Sequence, residues 1–157
     1  MIGYELFQIG YVTRNAERAS ANFAARQVAG QFAIHVPEFH VVRAGVEGPA
    51  ILKQGIGWSA GIMYELIEPV SGLVDIYTDD LPADDEVRFH HVAYIADDWE
   101  ATRRRVAAEA WPVAFEGGHD TARFIYVDAR QTVGHYLEYV WMAPESLAAI
   151  RRMKQGS

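Results

Sequence analysis

Apolar and polar positions along the chain fall into two stretches with the same plan. Phe7-Gln8-Ile9-Gly10-Tyr11-Val12 is a strand-length apolar run followed by Thr13, Arg14, Asn15 and a helical pattern. His90-His91-Val92-Ala93-Tyr94-Ile95 is followed in the same way by Ala96, Asp97, Asp98 and a second helical pattern. Overlaid, Gln8 meets His91, Ile9 meets Val92, Gly10 meets Ala93, Tyr11 meets Tyr94 and Glu17 meets Glu100. In the first helix Asn15 is the expected cap, Ala16, Ala19 and Phe23 form the apolar stripe, and Gly30 ends the run. In the second, Asp97 with Glu100 resembles a capping box, Trp99, Thr102 and Val106 form the stripe, and Pro112 forbids continuation.

Three further strand-like runs follow each helix. They are Phe39 to Ala44, Ile51 to Trp58 and Ile62 to Glu68, then Pro112 to Glu116, Arg123 to Asp128 and His135 to Trp141. Turns are expected at Gly45–Pro49, Ser59–Gly61, Gly117–Asp120 and Ala129–Gly134. The pattern predicts an α+β fold of two βαβββ modules, about residues 5–69 and 89–141, in one domain spanning residues 1–157. Residues 70–88, with Pro82 and six acidic residues, read as a linker, and a last helix is expected over about 144–154 with Pro144 in its first turn.

Strand side chains alternate between faces. Phe7, Ile9 and Tyr11 are then expected beneath the first helix, with Gln8, Gly10 and Val12 on the other face. His91, Ala93 and Ile95 likewise face away from the second helix, and His90 is placed toward the helix side or the strand edge. Glu65 lies opposite Tyr64 and Leu66, and Glu138 opposite Leu137 and Tyr139. Gln8, Glu65, His91 and Glu138 can therefore share the face away from the helices. Any one of them alone would ordinarily be the solvent side of an antiparallel sheet. Their recurrence at equivalent places in two modules changes that weighting. Buried carboxylates need a partner, and two of them with an imidazole and an amide form a donor set that suits a divalent cation such as Zn, Ni, Co, Mn, Fe(II) or Mg. Small Gly10 and Ala93 would leave room beside it for a substrate. Trp58, Met63, Arg123 and Tyr136 are the candidate substrate-binding residues, Arg123 as a cation for an anionic group.

Composition narrows the function classes. The chain has 157 residues, half of them apolar, and a formal net charge of −7. The short Arg103-Arg104-Arg105 run is no basic face, so nucleic acid is not an expected partner. There are no cysteines, which excludes thiolate metal sites, Cys nucleophiles and disulfides. No apolar stretch approaches the ~20 residues of a membrane helix, and Met1 to Phe7 carries no signal-peptide pattern, so a soluble cytoplasmic protein is expected. His35, His40 and His119 read as surface residues.

Phe7–Val12, the run Tyr64-Glu65-Leu66-Ile67-Glu68-Pro69, Phe89–Tyr94, Arg123-Phe124-Ile125-Tyr126 and Tyr136–Val140 resemble the vicinal oxygen chelate superfamily. That superfamily includes glyoxalase I, methylmalonyl-CoA epimerase, extradiol dioxygenases and bleomycin-resistance proteins. The resemblance covers about residues 7–141 and is nearest the epimerase-like branch called glyoxalase-4. It implies one metal ligand from the first and last strand of each module: Gln8, Glu65, His91 and Glu138. Where many members have His this chain has Gln8, a residue that some glyoxalases I also use there. It implies a metal-dependent lyase or isomerase moving a proton next to a carbonyl, with Glu138 as the base and Glu65 as its counterpart or a ligand. A metal-free small-molecule-binding protein of the resistance type is the alternative, and a ring-cleaving dioxygenase fits least, because one His occupies a ligand position. The resemblance also implies a small-molecule substrate and a homodimer.

Overall fold

Turn chemistry and strand pairing together bend one sheet into a ring. The computed structural model describes residues 4–156; Met1 to Gly3, part of the N-terminal stretch read above, and Ser157 lie outside it. The elements in order are β1 (Tyr4–Thr13), α1 (Ala16–Ala25), β2 (Ala33–His35), β3 (Glu38–Arg43), β4 (Val46–Ser59), β5 (Ile62–Gly72), α2 (Asp75–Thr78), β6 (Val87–Ala96), α3 (Trp99–Ala108), β7 (Val113–His119), β8 (Ala122–Asp128), β9 (Tyr136–Met142) and α4 (Pro144–Gln155). Eight strands form a closed ring in the order β4-β3-β7-β8-β9-β6-β1-β5, because β4 also pairs with β5; β2 adds a short ninth strand to β4. β1 and β6 run antiparallel at the centre, each flanked by a parallel partner, β5 and β9. This is the expected fold of two βαβββ modules around a curved sheet.

The ring divides the apolar residues into two populations. Phe7, Val12, Leu52, Met63, Ile67, Ile95, Phe115, Phe124, Tyr126, Tyr136 and Val140 fill its inside. Trp99 and Val106 of α3 cover Ile125, Val127 and Tyr139 on the outside. Trp99, Thr102 and Val106 are the buried residues of α3, as the 3.6-residue period required. Asn15 caps α1 by accepting from the Arg18 N–H at 2.9 Å. The cap of α3 is Asp98 rather than Asp97: its carboxylate accepts from the Ala101 N–H at 2.8 Å. The repeat itself pairs Asn15 with Asp98, since both stand seven residues after Gln8 and His91.

Several boundaries differ from the sequence reading, each for a local reason. The hairpin joining β3 to β4 turns on Ala44 and Gly45 alone, both with positive φ (51° and 78°), as a two-residue primed turn requires. Val46 to Pro49 are therefore strand, paired back onto β3. Gly117 and Gly118 also belong to a strand. A Cβ on Gly117 would stand 2.5 Å from the His40 carbonyl, so this glycine permits the close approach of β3 and β7 that closes the ring. Residues 70–88 are not simply a linker. β5 runs to Gly72, β6 starts at Val87, and the four-residue α2 between them buries Ile76 and Tyr77 completely against the inside cluster.

Candidate functional site

Two β-bulges build the centre of the ring. Along the β1–β6 ladder Leu6 faces Tyr94 and Gln8 faces Ala93, so Phe7 is an extra residue on β1. On the other strand Gly10 faces His91 and Tyr11 faces Phe89, so His90 is an extra residue on β6. The two bulges are equivalent under the repeat that overlays Gln8 on His91. A bulge breaks the two-residue alternation and re-aims side chains. Phe7 and Gln8 consequently both face inward, and so do His90 and His91. The strand-parity placement of Phe7 under α1 and of His90 toward the helix side is corrected by these two bulges. β5 and β9 are regular where they pair with β1 and β6, and there parity holds. Met63, Glu65 and Ile67 line the inside, as do Tyr136, Glu138 and Val140.

The four polar side chains expected to share a face meet at one point. His91 Nε2 lies 3.4 Å from Glu65 Oε2, 3.3 Å from Glu138 Oε2 and 3.4 Å from the Gln8 amide nitrogen. Gln8 Nε2 also donates to Glu65 Oε2. His91 is completely buried, and Gln8, Glu65 and Glu138 nearly so. The two carboxylates have different surroundings. Glu65 is held by two amides, because Gln54 Nε2 donates to its other oxygen at 2.7 Å. Glu138 is bonded by His91 and by the Tyr126 hydroxyl from the adjacent strand, and Tyr126 in turn lies 3.3 Å from the Tyr77 hydroxyl of α2.

Electrostatics follow from that geometry. Burial alone would push the His91 imidazolium down, but hydrogen bonds and charge from Glu138 and Glu65 outweigh it and hold the ring up at about 9. Burial raises the Glu138 carboxyl, which His91 lowers in part and the neighbouring Glu65 charge raises again. His90 is pushed down to about 3 by burial, then by the His91 charge, and stays neutral. Burial and the Glu138 charge keep the Tyr126 and Tyr77 phenols protonated far above their usual range. For the metal-free protein this sets a stability profile. His91 is raised in the folded state, so its contribution is complete below the usual 6.5 and is lost as pH rises through about 9. The raised Glu138 carboxyl acts in the same direction. The thermal midpoint in chelator is expected to fall from about pH 6.5 to about pH 9; a midpoint rising over that interval in a thermal scan would contradict the charge assignment.

The residues also fit a divalent cation by their chemistry. Among the described residues no group of three or more His, Asp and Glu side chains is set as a metal site, and the four heads bond one another. The three contacts of His91 Nε2, at 3.3–3.4 Å, match donors set ~2.1 Å from one centre, which stand ~3.0–3.4 Å apart. The Gln8 amide lies closer than that to Glu65. Even with His91 charged, two carboxylates leave one negative charge uncompensated inside the ring, a deficit that a cation would reverse. Gln8 would bind through the oxygen of its amide, the other end of the same flat group.

The remaining sequence candidates divide. Met63 and Tyr136 are buried inside the ring, and Trp58 packs against the same cluster from partial burial. Arg123 is not there: it lies on the outer face, exposed, with its guanidinium 5.4 Å from the Trp141 ring centre. Alternation explains this, since Phe124 and Tyr126 point inward. Gly10 does not leave room for substrate, because the His91 ring fills the space against it. His35, His40 and His119 are exposed, as expected. Gln54, Tyr126, Tyr77 and His90 were missed as site residues. Gln54 and Tyr126 were detectable, sharing strand parity with Trp58 and Phe124; Tyr77 and His90 depend on α2 and on the bulge.

Comparison with known proteins places the fold. The family model described as Glyoxalase/Bleomycin resistance protein/Dioxygenase superfamily matches residues 7–127. The structure is similar to methylmalonyl-CoA epimerase from Mycobacterium tuberculosis, at 15% identity and TM-score 0.58, covering 92% of this chain and 91% of that one. It is similar to a variant of Streptomyces coelicolor methylmalonyl-CoA epimerase in complex with 2-nitronate-propionyl-CoA, at 17% identity and TM-score 0.59, covering 91% and 99%. It is also similar to a mutant of 4-hydroxymandelate synthase from Streptomyces coelicolor, at 14% identity and TM-score 0.57, covering 89% of this chain and 49% of that chain. No curated protein matches the chain in sequence. Among the described residues no helix is long and apolar enough to cross a membrane. With a family model matching residues 7–127, the chain belongs to the glyoxalase/bleomycin resistance protein/dioxygenase superfamily, the vicinal oxygen chelate proteins.

Proposed function

We propose that the protein is a metal-dependent lyase or isomerase that moves a proton on a carbon next to a carbonyl. The observation that carries this reading is the pair of buried carboxylates, equivalent by the repeat yet differently held, on either side of His91. Gln8, Glu65, His91 and Glu138 would hold the cation. When bound, a divalent cation would engage the substrate's oxygens and stabilise the negative charge that develops on them.

The protein's own groups then divide the work. Glu138, raised by burial, is the base: its carboxylate takes the proton from carbon, and the same carboxyl returns it. Tyr126 stays protonated beside it and orients the carboxylate by a hydrogen bond. Glu65, bonded by Gln8 and Gln54, is the fixed ligand. The walls are apolar and aromatic, with Phe115, Phe124, Tyr136 and Met63 excluding water from the transferred proton. The join between β3 and β7, made at Val41 opposite Gly117 and Val42 opposite Glu116, is the shortest ladder in the ring.

The test is proton exchange in D2O, followed by NMR, on acyl-CoA thioesters and 2-oxo hemithioacetals, with protein loaded with Zn, Ni, Co, Mn or Mg. Deuterium entering the carbon next to the carbonyl is the expected result. Failure of every substrate and metal to exchange, with tight binding of aromatic compounds by metal-free protein, would contradict it. That outcome would favour a binding protein of the resistance type, a reading supported by the aromatic interior and by the hydrogen bonds among the four polar heads. A homodimer and a small-molecule substrate accompany either reading.

A further inference from the structure

Gln8 and His91 hold equivalent places but differ in one chemical respect. An amide presents its oxygen and nitrogen as fixed ends, whereas an imidazole has a usable lone pair on Nε2 only if the proton sits on Nδ1. Something must therefore set the His91 ring, and nothing need set Gln8 in that way. The residues preceding them differ accordingly. Phe7 fills the bulge before Gln8, and His90 fills the bulge before His91. An aromatic ring is evidently enough to pack the bulge; the nitrogens of His90 are additional.

Both of those nitrogens are engaged. His90 Nε2 lies 3.0 Å from the Ile76 carbonyl oxygen, and its Nδ1 lies 3.0 Å from His91 Nδ1. A carbonyl only accepts, so Nε2 of His90 carries a proton. Two ring nitrogens facing each other share one proton. A buried His90 cation would have a carbonyl and another imidazole as neighbours, so the neutral ring is the one that fits. Its Nδ1 is then the acceptor and His91 Nδ1 the donor. The plane of His90 is fixed by Tyr77 and Tyr136, whose ring centres lie 5.1 and 4.8 Å from it at angles of 37° and 33°. The carbonyl at the far end belongs to α2, so this short helix is part of the centre's support.

We propose that His90 is a positioning residue: by accepting the Nδ1 proton of His91 and donating to the Ile76 carbonyl, it holds His91 with Nε2 on Glu65 and Glu138. The purpose of that hold, presenting Nε2 to a cation, rests on the metal reading above; the hold itself does not. His90→Phe places in this bulge the residue that its counterpart already carries, and so keeps the packing. His90→Asn retains an acceptor at the position of Nδ1.

The experiment has two arms. Long-range 1H–15N NMR of histidine-labelled, metal-free protein reads which nitrogen of His90 carries the proton; Nε2 is expected, and a proton on Nδ1 would overturn the inference. Zinc titration by calorimetry then compares the variants with wild type, with folding checked by circular dichroism. His90→Phe is expected to bind zinc about 10–100-fold more weakly, with His90→Asn recovering much of the loss. Wild-type affinity in a folded His90→Phe would overturn the proposal. If wild type itself takes up none of Zn, Ni, Co, Mn or Mg, the metal reading falls separately, and the NMR arm alone decides the role of His90.

Discussion

Glu138→Gln is expected to abolish α-proton exchange while leaving the protein folded. The substitution keeps the size of the side chain and removes the carboxylate assigned to take the proton, so exchange should drop by about 10²–10⁴-fold. The fold should survive because the lost group is a buried carboxylate whose burial opposes its ionisation. His91 keeps Glu65 as its partner. The alkaline loss of stability should also shrink, since Glu138 is the first of the groups that hold His91 up. Exchange rates measured by NMR against thermal midpoints in chelator separate the two effects. A variant with wild-type exchange would remove Glu138 from the role of base and leave Glu65 as the candidate.

Gly10→Ala is expected to have the largest effect on stability. A Cβ at this position would fall within the van der Waals envelope of His91 Cε1, Nδ1 and Nε2. A flexible surface side chain would swing aside, but His91 is completely buried and bonded through both nitrogens, to His90 on one side and the carboxylates on the other. Moving the ring adds overpacking, ~1–3 kcal/mol, to the cost of leaving a buried carboxylate without its partner, ~3–5 kcal/mol. Chemical denaturation should therefore show a loss of at least ~3 kcal/mol, and zinc binding should weaken with it. A variant as stable as wild type would mean that the ring has an alternative seat. Ala93, the counterpart of Gly10, already carries a methyl group because the residue across the ladder from it is Gln8, whose chain has no ring to place there.

How far the sequence could be read depended on the regularity of each strand. The repeat that overlays Gln8 on His91 survives in the structure down to the ladder, where Gln8 faces Ala93 and Gly10 faces His91. Glu65 and Glu138 were legible because their strands keep the two-residue period, with Met63 and Ile67, and Tyr136 and Val140, on the same face. His90 was misplaced because a bulge adds one residue to one strand, and apolar periodicity carries no sign of it. Gly10 was read as open space because a sequence shows the missing Cβ but not the ring lying on it. Gly117 and Gly118 resembled a turn, yet the first is where two backbones approach closely. α2 spans a single turn inside an acidic segment, too short for a 3.6-residue pattern to register. Tyr126 and Gln54 required only the parity rule applied one strand further.

Gln8, Glu65, His91 and Glu138 are proposed to hold one divalent cation. The most direct measurement is the metal content, by mass spectrometry, of untagged protein purified without chelator. About one equivalent of a divalent metal per chain, removed by chelator and restored with a rise in thermal midpoint, is the expected result. No bound metal, together with no thermal stabilisation on adding Zn, Ni, Co, Mn or Mg, would contradict it.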